Sequence, residues 1–150
     1  MDSKHIYQAR AQWHLHDRGF VELEHGTPRT INFSAPPEFG GEPGLWTPEH
    51  FLLAAVASCF AATFRAVAEA SRLEFQGIEV SVDGHTEKYE GCHRFTKITI
   101  RPTAIVFRSE ERERAARLME KTERLCLVTR SLSSQVTMEA KVLSEVPTPA

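Results

Sequence analysis

Hydrophobic and polar positions alternate with a period of two in several segments, a pattern typical of half-buried strands. The alternation predicts three short strands near the N-terminus and three later ones, at about 7–15, 20–23, 31–33, 78–86, 95–107 and 135–143. Pro102 falls within the fifth strand, and because proline cannot donate to a strand ladder, we expect an edge position or a bulge there. The last strand should place Val136, Met138, Ala140 and Val142 on one face.

Two other segments predict helices. The first covers 47–71, where Thr47 can cap free amides, Pro48 suits the first helical position and Glu49 suits the first turn. No residue from 51 to 62 is charged, so this helix is apolar on nearly all faces and must be buried. The second helix covers 109–125 and carries Glu–Arg pairs spaced four residues apart. The region 34–46, rich in proline and glycine, predicts an irregular loop.

The element order β-β-β-α-β-β-α-β predicts an α+β fold, because strands and helices do not alternate regularly. A length of 150 residues suits one domain, 1–150, with a real core. One domain of this size has few elements to surround a helix that is apolar all round. We therefore expect a homodimer that packs two such helices together, with the sheets outside.

Composition excludes several classes of function. A formal net charge of −2 provides no basic footprint for nucleic acid or an anionic membrane. No apolar run approaches the roughly 20 residues that span a bilayer, and residues 1–20 have no signal-peptide core. Three cysteines do not form the framework of a secreted domain, so we expect a cytoplasmic protein. No Cys-x-x-Cys motif occurs, and we expect neither a metal nor a cofactor.

The cysteines are the candidate reactive groups. Cys59 lies within the first helix and Cys126 at the end of the second, and each could simply be a buried core residue. Burial alone raises the pKa of a thiol and makes it inert, so a functional Cys59 needs a nearby cation. Cys92, between two predicted strands, should be an exposed loop thiol.

Three motifs together resemble a known family. They are the segments 33–41 (FSAPPEFGG), 47–60 (TPEHFLLAAVASCF) and 126–132 (CLVTRSL). They resemble the OsmC/Ohr family of thiol-dependent hydroperoxide reductases, and the likeness spans most of the chain. The resemblance implies an OsmC-like fold, in which antiparallel sheets wrap two central apolar helices in an intertwined homodimer.

The resemblance also implies roles for four residues. Cys59 matches the peroxidatic cysteine, which becomes a sulfenic acid, and Cys126 matches the resolving cysteine, which condenses with it to a disulfide. Glu49 matches the acid of the Pro-Glu motif. Arg18 occupies the place of the thiolate-holding arginine in the Ohr branch, although it could equally be a solvated turn charge. Leu127 stands where the family usually has proline.

The implied function is a cytoplasmic, cofactor-free antioxidant peroxidase that reduces organic hydroperoxides with electrons from an external dithiol, for example of the lipoyl type. Glu49 and Cys59 are ten residues apart, which is about 15 Å along a helix. We therefore expect Glu49 to reach an Arg18–Cys59 cluster from the partner subunit.

Two alternatives stay open. One is a non-enzymatic ligand-binding or redox-sensing member of the same fold, and the other is a structural dimer with incidental thiols.

Overall fold

The computed structural model describes residues 4–13, 18–23 and 29–144. The chain divides into two compact units, Met1–Leu52 and Leu53–Ala150. The sequence prediction of a single domain over 1–150 stays a prediction.

The first unit contains the three predicted N-terminal strands. β1 (Ala9–Trp13), β2 (Gly19–Leu23) and β3 (Ile31–Phe33) form an antiparallel sheet in the order β1-β2-β3. Tyr7 precedes β1 and is exposed, so the first strand begins later than its alternation suggested. The predicted end of that strand, 14–15, lies outside the described residues.

The segment 34–46 is irregular, as predicted, apart from one turn of 3-10 helix over Pro37–Phe39. Its two ends are joined because the amide of buried Ser34 donates to the Trp46 carbonyl at 2.8 Å. The Ser34 hydroxyl in turn accepts the Glu42 amide at 2.9 Å. These bonds fix the backbone at Glu42, and the Glu42 side chain pairs with Arg18.

α1 spans Pro48–Ala70, one residue inside the predicted bounds at each end. Thr47 caps it as predicted, because its Oγ1 accepts the His50 amide at 3.1 Å. α1 is the segment of the described chain that could cross a membrane by length and composition, with a mean hydropathy of 1.9. The expectation that no apolar segment approaches that length is therefore wrong, although the core helix of a soluble protein has the same properties.

In the second unit, α1 buries one side only. The buried residues of α1 are Val56, Phe60, Phe64, Val67 and Ala68. All of them except Val67 belong to the core cluster that also contains buried residues of the sheet and of the following helix. In the most apolar 18-residue stretch of α1, only 28% is buried within the chain. Ser58 and Ala62 are exposed, and most neighbouring residues are half-buried. The expected burial on nearly all faces is thus not achieved within one chain.

The sheet of the second unit is built around one central strand. β4 (Phe75–Tyr89) and β5 (Cys92–Val106) form a long antiparallel hairpin, and Glu90 and Gly91 turn with φ of 50° and 83°. β6 (Gln135–Met138) and β7 (Lys141–Ser144) both pair with the other edge of β5 in parallel. α2 (Arg112–Leu125) and the short α3 (Leu127–Arg130) connect β5 to β6.

The expectation that Pro102 marks an edge is wrong, because β5 has partners on both sides. Pro102 lies between the stretch of β5 that pairs with β6 and the stretch that pairs with β7. The Ile100 carbonyl accepts the Glu139 amide at 2.9 Å, so alternate residues of β5, including Pro102, face this edge. Pro102 therefore lacks its N–H at the gap between β6 and β7, where no strand residue pairs with this edge of β5. The same interruption leaves Ala140 exposed between two strands rather than on a shared apolar face.

Candidate active site

Cys59 lies at the middle of α1 and is half-buried. Residues four apart share a helix face, which places Thr63 beside it. The Cys59 sulfur and the Thr63 hydroxyl are 3.9 Å apart. Cys59 is therefore a partly accessible thiol with a polar neighbour from its own helix, rather than a fully buried core residue.

Cys126 is fully buried at the junction between α2 and α3. Its backbone is extended, with φ −64° and ψ 113°, and it occupies the N-cap position of α3. The Cys126 carbonyl accepts the Arg130 amide and the Thr129 hydroxyl, both at 3.1 Å. The Cys126 side chain itself makes no capping hydrogen bond to α3.

The two predicted cysteines lie close enough in the fold for each to shift the pKa of the other. Both are free thiols, and hydrogen bonding between them lowers the pKa of Cys59 and raises that of Cys126. The amides of Leu127 and Val128 donate to the same sulfur. Amides in the first turn of a helix have no acceptor within that helix, so those of α3 are available to the two sulfurs.

Hydrogen bonding shifts the pKa values of the two thiols in opposite directions. Burial has the largest influence on Cys59 and raises its pKa, but the bonds from Val128, Cys126, Thr63 and Leu127 outweigh it. The pKa of Cys59 is consequently lowered from its ordinary value. Burial also has the largest influence on Cys126, where the adjacent Cys59 sulfur adds to it, and the pKa of Cys126 is raised. Of the two thiols, Cys59 is therefore the one that ionises more readily.

The sequence argument that Cys59 needs a cation overlooked these main-chain donors. The leading influences that lower its pKa, among the residues the structure describes, are amides, a hydroxyl and a thiol. Leu127 and Val128 were not predicted as site residues, because their contribution comes from the backbone and not from the side chain. A sequence signal did exist, since a helix that restarts directly after Cys126 must present free amides there.

Arg18 lies in the first unit and pairs with a carboxylate other than the one expected. Its guanidinium makes a two-point contact with Glu42, with Nη2–Oε1 at 2.5 Å and Nε–Oε2 at 3.1 Å. The Arg18 side chain is 48% exposed. It is thus a partly exposed, oriented cation, rather than the solvated turn charge that the sequence also allowed.

Glu49 occupies the first turn of α1, as expected. Its Oε2 atom is buried and has no hydrogen-bond partner within 4–13, 18–23 and 29–144. Leaving a buried acceptor unsatisfied costs about 1–3 kcal/mol, and more when it is charged. Within these ranges, the Glu49 carboxylate therefore lacks a partner for one of its oxygens.

Two further expectations concern the remaining thiol and metals. Cys92 is exposed, as predicted, although it begins β5 instead of lying in the loop. It is opposite Tyr89 at the hairpin end and takes no part in the thiol pair. No group of three or more His, Cys, Asp or Glu side chains in the described part of the chain is arranged to hold a metal ion.

Comparison with protein families and curated proteins finds related sequences. The family model described as OsmC-like protein matches residues 41–141. The uncharacterized protein YmaD of Bacillus subtilis is 27% identical over 139 residues, covering 90% of this chain and 91% of YmaD. The resemblance read from the three motifs is thereby confirmed.

Solved structures share the fold. An OsmC-like protein of unknown function from Vibrio cholerae has a TM-score of 0.81 at 18% identity, covering 91% of this chain and 99% of its own. Organic hydroperoxide resistance proteins from Legionella pneumophila and Elizabethkingia anophelis have TM-scores of 0.73 and 0.74 at 21% and 17% identity. The matches cover 93% and 97% of this chain, and 99% and 100% of the two relatives' chains. These likenesses confirm the α+β fold predicted from the sequence.

Proposed function

The chain belongs to the family of OsmC-like proteins, and we propose that it is a thiol-dependent peroxidase that reduces organic hydroperoxides in the cytoplasm. The observation that carries the proposal is the asymmetric pair of thiols. A peroxidase of this kind needs one thiol that ionises readily and a second that waits, protonated, within reach. The pKa values of Cys59 and Cys126 shift in these opposite directions, and each thiol is near enough to influence the other.

In the first step, the Cys59 thiolate attacks the oxygen of the hydroperoxide that carries hydrogen. An S–O bond forms, the O–O bond breaks, and the alkoxide leaves and takes a proton to become an alcohol. Cys59 is oxidised to a sulfenic acid while the peroxide is reduced. The amides of Leu127 and Val128 favour the thiolate before attack and hold its sulfur in position.

In the second step, the Cys126 sulfur attacks the sulfenic sulfur and water leaves, so that a Cys59–Cys126 disulfide forms. The Cys126 proton completes that water. An external dithiol, for example of the lipoyl type, then reduces the disulfide through two thiol–disulfide exchanges and supplies the two electrons. No resident cofactor takes part in this cycle.

Two features support an organic rather than an inorganic peroxide. Cys59 lies on a helix whose uncharged stretch is almost entirely apolar, and apolar surroundings favour an alkyl group over hydrogen peroxide. In addition, some structural relatives are named for resistance to organic hydroperoxides.

A homodimer belongs to the same proposal. α1 leaves much of its apolar surface uncovered in one chain, and the Glu49 Oε2 atom is buried without a partner in the described residues. Both features support antiparallel packing of two α1 helices. In that arrangement Glu49 of the partner subunit would approach the Cys59 site, with Arg18 between the two groups.

The second candidate is a redox sensor or ligand-binding protein without turnover. The pairing of Arg18 with Glu42 favours it, because an arginine held by another carboxylate is less free to hold a thiolate. Arg18→Ala separates the two candidates. If Arg18 serves the peroxidase, its loss raises the pKa of Cys59 and slows both alkylation and turnover near neutral pH. Unchanged kinetics would leave Arg18 as the partner of Glu42 alone.

The test of the peroxidase is consumption of cumene hydroperoxide with dihydrolipoamide or dithiothreitol as reductant. Cys59→Ser should abolish consumption, Cys126→Ser should abolish multiple turnovers, and Cys92→Ser should retain the full rate. Peptide mapping after one equivalent of hydroperoxide should show a Cys59–Cys126 bridge. A bridge through Cys92, or oxidation of Cys59 without turnover under either reductant, would reject the proposal; the second result would indicate the sensor.

A further inference from the structure

Arg72 has a backbone conformation that glycine normally occupies. It follows α1 with φ 56°, and its amide donates to the Glu69 carbonyl at 3.1 Å. The next amide, of Leu73, donates to the Ala68 carbonyl at 2.9 Å, which completes a Schellman turn. A residue with a Cβ is strained at this position. Such strain concentrates at functional sites, so the arginine side chain is a candidate for a function.

The Arg72 side chain lines an open cavity of about 570 Å³ in the second unit. That volume lies within the range of small-molecule sites, about 300–1,000 Å³. Three lining residues are apolar, namely Leu73, Phe75 and Phe107, and three others are charged, namely Arg65, Glu69 and Glu74. Phe107 is 42% exposed, so an aromatic surface is available to a ligand.

The neighbouring arginines already have carboxylate partners. Arg65 pairs with Glu69 at 3.8 Å. Arg108, in an adjoining cavity that Arg72 also lines, pairs with Glu111 at 2.8 Å. By contrast, no described residue forms an ion pair or side-chain hydrogen bond with the Arg72 guanidinium. Arg72 is therefore available to an anion, and its planar fork matches a carboxylate.

We propose that this cavity binds a monocarboxylate with an apolar tail. The carboxylate pairs with Arg72, and the tail lies over Leu73, Phe75 and Phe107. The charged side chains of the cavity sum to zero, two arginines against two glutamates, so one negative charge is accommodated more easily than the two of a phosphate monoester. The site is separate from the thiol pair, and the proposal does not rest on the peroxidase function.

The test is calorimetric titration of the full chain with octanoate, together with thermal unfolding. Arg72→Gly should weaken octanoate binding about tenfold, because it removes a charge-assisted contact. The same change should raise Tm by about 2–4 °C, since glycine relieves the left-handed strain. Arg72→Lys should bind with intermediate affinity, because it keeps the charge but loses the fork.

Glu90→Gly is the matched control, because Glu90 is also strained, with φ 50°, in the hairpin turn. It should raise Tm without changing octanoate binding. Binding of octan-1-ol, which lacks the carboxylate, should not depend on Arg72. Equal octanoate affinity in the wild type and Arg72→Gly, or no octanoate binding at all, would overturn the proposal. Tighter binding of hexyl phosphate than of octanoate would overturn the choice of a monoanion.

Discussion

Cys59 and Cys126 are the same residue type, yet their surroundings give them opposite pKa shifts. The Cys59 sulfur receives bonds from two amides, a hydroxyl and a thiol, all of which favour its charged form. Cys126 donates its proton toward Cys59, and the Cys59 sulfur favours the neutral form of Cys126. The division of labour between the two thiols is therefore a property of local hydrogen bonding.

Leu127→Pro tests the main-chain contribution. Leu127 is the first residue of α3, where proline is well tolerated, and the ψ of 113° at Cys126 suits a residue before proline. The substitution removes one N–H donor to Cys59, so the pKa of Cys59 should rise. Alkylation of Cys59 by iodoacetamide at neutral pH should slow about threefold to tenfold, followed by mass spectrometry.

Leu127→Ala is the matched control for that substitution. The Leu127 side chain is 66% exposed, so its truncation should leave packing largely unchanged. Alanine also keeps the amide donor, and the pH profile of Cys59 alkylation should stay that of the wild type. Equal alkylation rates in the proline and alanine variants would show that the Leu127 amide does not influence the thiolate.

At the scale of elements, α1 combines a packed side with a sparsely covered one. Phe64 is fully buried on the packed side, with its ring centroid 5.0 Å from that of Phe75. Ser58 is on the exposed side, where its hydroxyl donates to the Ala54 carbonyl of the same helix at 2.8 Å. The contribution of α1 to the free energy of unfolding therefore comes mainly from the few side chains on its packed side.

Phe64→Ala should lower the free energy of unfolding by about 3–5 kcal/mol, because it removes a large buried ring and leaves a cavity. Ser58→Ala on the same helix is the control and should be neutral or slightly stabilising, since it removes a bond that competes with the helix backbone. Urea denaturation followed by circular dichroism measures both. Similar effects at the two positions would contradict the one-sided packing of α1.

At the scale of the whole molecule, two features of the described residues support association of two chains. Part of the apolar surface of α1 is uncovered, and a buried oxygen of Glu49 has no partner in the described residues. Association of two chains would resolve both features at once. The proposed homodimer is therefore tied to activity and not only to stability.

Dilution should lower the specific peroxidase activity in step with dissociation of the dimer, which light scattering after size exclusion would follow. Glu49→Gln keeps the shape of the side chain but removes its charge, and it should reduce the rate while the dimer persists. Glu38→Gln is the control, because Glu38 is exposed in the loop before α1. A fully active monomer would reject the shared site.

The sequence alone determined most of the element order, because periodicity and capping are local properties. α1 is bounded by Thr47 and Pro48 at its start, and the hairpin strands follow from their alternation. Three local motifs, of which one surrounds Cys59, together also indicated the family, which the match over 41–141 bears out. These features depend on residues close together in the chain, so they can be read without coordinates.

Tertiary structure decided what depends on distant partners. Pro102 is central rather than at an edge because β6 and β7 pair with β5 across a gap, which no local pattern specifies. Arg18 pairs with Glu42 because a hydrogen bond from the Glu42 amide to the Ser34 hydroxyl, eight residues earlier, fixes the loop. The lowered pKa of Cys59 depends in part on backbone amides of Leu127 and Val128. Backbone groups are identical in every residue except proline, so the fold is needed to show which sulfur these amides reach.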